Sequence, residues 1–198
     1  MTLISSRRSF LAAMLGLGLL PMESAAREIS GVALPEEAKL SAEGPTLRLV
    51  GAGVFRFLFF RYYVCALYAL AGLRGAAPIL EADAPRRIRL VAVRRITSFE
   101  FLWGLDRGIA DNTGEIELKA LDMRLEALRA AIREIGAIPS GSRVDIDYVP
   151  DAGTTILIDS ALRGGPFRGK PLNDALMRVW IGERPLDASL KEMLLGGQ

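Results

Sequence analysis

Phe55, Phe57, Phe59, Arg61 and Tyr63 occupy every second position of the stretch GAGVFRFLFFRYYVCALY, residues 51–68. Read as one long strand, that spacing puts all five on one face. A phenol and a guanidinium two positions apart can polarise a carbonyl or hold an anionic oxygen. Three phenyl rings beside them can bed the apolar body of a small molecule. The same rings suit the interior of a sheet equally well. Two readings therefore stand: a ligand wall anchored at Tyr63 and Arg61, or ordinary core in which Tyr63 bonds to backbone.

The composition narrows the chemistry further. The chain contains no histidine, which removes Ser-His-Asp and Cys-His catalysis, HExxH zinc sites and any imidazole base. With a single cysteine, Cys65, neither an internal disulfide nor an ordinary zinc site is expected, and no cofactor is called for. Neither GxxxxGK[ST] nor GxGxxG occurs. Gly51-Ala52-Gly53 reads as a turn feeding a strand, the wrong context for a phosphate cradle.

The elements that must position these residues follow from periodicity. Both faces of the 51–68 stretch are mainly apolar, so both need covering, one by helices and the other by sheet or ligand. Short strands are expected near Val32–Leu34 and over Thr46–Val50. A loop with a brief helix should span Gly72–Pro85, and a strand Arg86–Ile96, whose arginines read as a solvated rim. Ser98 reads as the N-cap of a helix with an apolar stripe of Phe99, Leu102, Trp103 and Leu105. A second helix runs from Glu115 to Ile135 and stops at Gly136. Arg143–Val149 and Thr154–Asp159 make a hairpin, with Asp145 and Asp147 assigned to a solvated face, and Leu172–Ile181 is helical.

The first 26 residues read as an export leader. Ser6-Arg7-Arg8-Ser9-Phe10-Leu11 has the twin-arginine pattern, an apolar run follows from Leu11 to Leu20, and Ser24-Ala25-Ala26 offers small residues for cleavage. Cleavage there leaves residues 27–198 as one domain in the periplasm or outside, with no membrane span of its own. The run of Leu11–Leu20 is about half the roughly 20 residues a span requires. Of 25 basic and 23 acidic residues, 23 and 22 would remain, a balance that argues against nucleic-acid binding.

The GAGV start, the aromatic run and the Tyr-Val-x-Ala-Leu-Tyr ending at 63–68 resemble the core strand of the chalcone isomerase-like family. The resemblance extends through the glycine-rich return at Asp159–Arg168. It continues in Trp180-Ile181-Gly182-Glu183-Arg184-Pro185-Leu186 and the Leu190-Lys191-Glu192-Met193-Leu194-Leu195-Gly196 tail. It implies an α+β open-faced sandwich, one antiparallel sheet with helices packed on one face. Members include plant chalcone isomerases, which cyclise a chalcone by attack of a phenolate on an enone, and plastid fatty-acid-binding proteins of the same fold.

The resemblance places the family's functional arginine immediately after GAGV, where this chain has Phe55, and the family's strand hydroxyl at Tyr63. A phenyl ring cannot bind a phenolate or carboxylate as guanidinium does, although Arg61, on the same face by strict alternation, could supply a cation. The leading expectation is non-catalytic binding of an apolar or amphipathic small molecule, fatty-acid-like or aromatic, at Phe55, Phe57, Phe59, Arg61 and Tyr63. The alternatives are an intramolecular lyase of the chalcone isomerase type and an interaction or assembly protein with a filled core.

Overall fold

The structure is a computed structural model that describes residues 26–197. The expected leader lies outside the described residues except for Ala26. The elements, in chain order, are β1 (Ala26–Ile29), β2 (Val32–Pro35), β3 (Glu37–Ala38), β4 (Leu47–Phe57), β5 (Phe60–Leu70), α1 (Ala76–Glu81), β6 (Arg86–Ala92), β7 (Ile96–Thr97), α2 (Ser98–Asn112), α3 (Glu115–Ile135), β8 (Ala137–Ile138), β9 (Arg143–Val149), β10 (Gly153–Ile158), β11 (Ala161–Phe167), α4 (Lys170–Ile181) and α5 (Ala188–Leu194). Seven strands form one antiparallel sheet in the order β11-β10-β9-β6-β5-β4-β3. The helices pack on one face over Cys65, Leu67, Ile88, Leu90, Val144 and Ile146. The β1–β2 hairpin lies on the other face, where Leu34 buries against Leu47, Val64, Ala66 and Tyr68.

The stretch read as one long strand is two. The chain reverses at Leu58 and Phe59, so that β4 and β5 pair, with Phe57 opposite Phe60 and Phe55 opposite Tyr63. Leu58 sits at φ +55°, the left-handed conformation a tight reversal demands. Strand propensity alone could not show this turn, because the loop lacks the usual Asn, Asp or Gly.

Gly51-Ala52-Gly53 is likewise mid-strand, not a turn. Its glycines are required by a neighbour: a Cβ on Gly51 would lie 2.7 Å from the Leu194 carbonyl oxygen, and one on Gly53 would lie 2.8 Å from Met193 Sδ. Helix α5 thus lies directly on bare β4 backbone. A register shift between Leu49 and Gly51 lets Leu47 and Leu49 share a face with Ala52 and Val54 despite the change of parity.

The arginine rim is also corrected. Arg87 stands opposite Asp147, and Arg89 opposite Asp145, on β6 and β9. Each pair is bidentate: Arg87 Nε and Nη2 donate to Asp147 at 2.5 and 2.6 Å, and Arg89 Nε and Nη2 to Asp145 at 2.7 and 3.0 Å. All four side chains are buried. Direct cross-strand pairing supplies each charge with its partner, and this is what allows burial in place of the solvated face expected. Arg86, on the helix face, is buried against α4, donating to Asn173 Oδ1 at 2.6 Å and pairing with Asp174.

Candidate functional site

A cavity of about 420 Å³ opens where the outer end of the β4–β5 hairpin meets α2. Its floor is Tyr63 and Trp180, and its walls are Phe55, Phe57, Tyr62, Phe101 and Leu105. Pro185 and Leu186 close one side. Asn112, at the end of α2, holds that side in place, donating to the Arg184 carbonyl at 2.6 Å and accepting from Arg184 N at 2.8 Å.

Of the five residues singled out from sequence, the structure brings Phe55, Phe57 and Tyr63 to this cavity. Phe55 stacks on Tyr63, with ring centroids 4.9 Å apart and planes 17° from parallel. Phe57 meets Trp103 of α2 edge to face at 5.6 Å. Phe59 is at the hairpin turn, 97% exposed, and does not line the cavity. Arg61 is exposed and pairs with Arg56. The register shifts between Phe55 and Arg56, leaving Tyr62 as the extra residue, and this puts Arg61 on the face opposite Phe55. The shared face of Phe55 and Tyr63 is real, but it arises from cross-strand pairing rather than from alternation along one strand.

Tyr63 is buried, and its oxygen accepts a hydrogen bond from Trp180 Nε1 at 3.1 Å. The partner is thus an indole rather than the backbone. Among the described residues this is the only hydrogen bond of the phenol, so its own O–H remains available to a ligand in the cavity. Burial, with lesser pushes from Cys65 and Asp187, drives its pKa far above the ordinary 10, so it stays a neutral donor. Asp187 is fixed nearby as the cap of α5, accepting from Leu190 N at 3.1 Å.

The charged groups of the rim are already engaged. Thr97, not Ser98, caps α2, and Thr97 N donates to Glu100 Oε2 at 2.8 Å while Thr97 Oγ1 accepts from Glu100 N at 3.2 Å. The hydrogen bond from Thr97 N holds Glu100 below the usual carboxylate range, which unsuits it as a general acid. Arg107 pairs with Asp111 at 3.7 Å and lies over the Trp103 ring. Among the described residues, Arg107 is the one cation in the lining, against two carboxylates. The sequence placed Phe99, Trp103 and Leu105 on one helical stripe, whereas α2 buries Phe101, Leu105 and Ile109 and leaves Phe99 and Trp103 exposed at the cavity rim. Trp180 and Leu186 were visible only as part of a helix end and turn.

The profile of the chalcone isomerase-like family matches residues 26–196. The chain belongs to the chalcone isomerase-like family. The fold of this family member is shared with a crystal structure of an Arabidopsis thaliana fatty-acid binding protein. The two are 19% identical, with a TM-score of 0.66 over 86% of this chain and 96% of that one. No curated protein sequence matches the chain. Among the described residues, no helix is long and apolar enough to cross a membrane.

Proposed function

We propose that this family member binds, without transforming, an apolar or amphipathic small molecule such as a fatty acid or an aromatic lipid-like compound. The observation that carries the reading is the cavity itself: about 420 Å³, walled by aromatic rings, with one available hydroxyl at its floor. That size and lining suit a small-molecule site. The phenyl rings of Phe55 and Phe57 line the space rather than fill it, which weighs against an assembly protein with a solid core. The fold shared with a fatty-acid binding protein supports the reading.

The electrostatics favour a neutral hydrogen-bond acceptor at Tyr63, such as an ester, a ketone or a protonated carboxyl. An ionised carboxylate at the floor would be buried without a cation and would face Asp187. A fatty acid would therefore direct its carboxylate outward, to water at the cavity mouth. The same absence argues against phenolate chemistry of the chalcone isomerase kind, because at the floor the attacking oxyanion would meet one neutral hydroxyl and no cation. Export by the twin-arginine route to the periplasm is part of this proposal and rests on Arg7-Arg8 and the apolar run after them. Mass spectrometry of small molecules released from natively purified protein tests the binding reading. Co-purifying lipid-like molecules are expected, and a protein empty of them that also takes up none when offered would overturn it.

A further inference from the structure

The β4–β5 tip carries four large apolar residues in a row, and all are exposed: Phe57 at 42%, Leu58 at 75%, Phe59 at 97% and Phe60 at 60%. Phe99 and Trp103, one turn apart on α2, extend the surface at 77% and 46%. An exposed apolar surface of this kind marks an interaction site. The tip is framed by arginines. Arg56 and Arg61 stand opposite each other just behind it, and neither has an ion-pair partner among the described residues. Arg94 lies over the Phe60 and Tyr62 rings at 5.8 and 4.5 Å. No acidic residue occurs between Val54 and Leu80.

We propose that this tip docks the protein on an anionic lipid bilayer, with Leu58, Phe59 and Phe60 inserted among the acyl chains and Arg56 and Arg61 at the headgroups. Aromatic rings favour the membrane–water interface, and arginines behind them reach phosphate while their stems remain apolar. The basic collar is what selects a lipid surface over a second copy of the chain, because pairing two tips would bring four unpaired arginines together. Phe57, at the base of the tip, lines the cavity, so docking sets the cavity mouth against the bilayer from which an apolar ligand would enter. The docking argument itself rests on the tip and stands independently of what the cavity holds.

The test is sedimentation of the full chain with phosphatidylcholine vesicles, with and without phosphatidylglycerol. Tip substitutions distinguish binding by the tip from any binding by residues 1–26. The expected result is binding that requires phosphatidylglycerol. It should fall at least tenfold in Phe59→Asp and about fivefold for each of Arg56→Gln and Arg61→Gln, with melting temperatures unchanged because these side chains are exposed. Binding to neither vesicle, or binding indifferent to all three substitutions, would overturn the proposal. So would a lipid-free dimer of the parent that Phe59→Asp dissociates.

Discussion

Phe55 stacks on the face of Tyr63 across the β4–β5 pair, 4.9 Å between centroids, at the position where the family resemblance calls for a guanidinium. The stack places an apolar ring beside a neutral phenol. A site built this way can seat a carbonyl or an ester but offers an oxyanion no compensating positive charge.

Negligible cyclisation of a hydroxychalcone over the buffer rate is therefore expected. Phe55→Arg should add a cation beside Tyr63 and shift preference from methyl palmitate toward palmitate. A clear cyclisation rate in the parent, abolished by Tyr63→Phe, would contradict this account of the floor.

Tyr63→Phe should have two separable effects. It strands the buried Trp180 N–H, lowering stability by about 1–3 kcal/mol. It also removes the donor offered to ligand, weakening methyl palmitate by roughly 1 kcal/mol, about fivefold, while leaving a long-chain hydrocarbon unaffected. Thermal melting of the apo protein reads the first effect and ligand titration the second. An equal loss for ester and hydrocarbon would reduce the hydroxyl to a structural role.

Gly51→Ala tests the contact between α5 and β4. The added methyl would meet the carbonyl oxygens of Met193 and Leu194, groups that cannot move without displacing α5. A loss of about 1–3 kcal/mol in chemical denaturation is expected. A variant as stable as the parent would show that α5 can lift away freely.

Export is checked by replacing Arg7 and Arg8 with lysine. Uncleaved precursor should accumulate in the cytoplasm. Mature protein reaching the periplasm unchanged, or doing so in cells lacking the twin-arginine translocase, would contradict the proposed route.

The individual elements were legible because they rest on periodicity, and the family resemblance implied how they assemble. The 115–135 helix, the 143–159 hairpin and the 172–181 helix each show a clean apolar repeat, and the structure forms all three. The hairpin inside GAGVFRFLFFRYYVCALY was not legible, because Leu58-Phe59 is a turn built from residues that ordinarily continue a strand. That omission displaced Phe59 and Arg61 from the cavity. The buried Arg87–Asp147 and Arg89–Asp145 pairs were hidden for another reason: each half, taken alone, has the alternation of a solvated strand face, and only the β6–β9 register reveals the partner. The partnership of Tyr63 with Trp180, 117 positions apart, leaves no local trace in sequence at all.

The cavity is tested most directly by filling it. Gly104 lies in the middle of α2 on the cavity wall, where an added Cβ would meet only Leu186 Cδ1 at an ordinary 3.6 Å. Gly104→Leu should project a side chain into the space while raising helix propensity by about 0.5–1 kcal/mol. The chain's two tryptophans, Trp103 and Trp180, both line the cavity, so intrinsic fluorescence reports its occupancy without a label. Titrated with methyl palmitate, the parent should show a saturable fluorescence change, and Gly104→Leu should bind at least tenfold more weakly while melting no lower than the parent. A parent that gives no saturable change, or a Gly104→Leu variant that binds as tightly as the parent, would contradict a ligand site at this cavity.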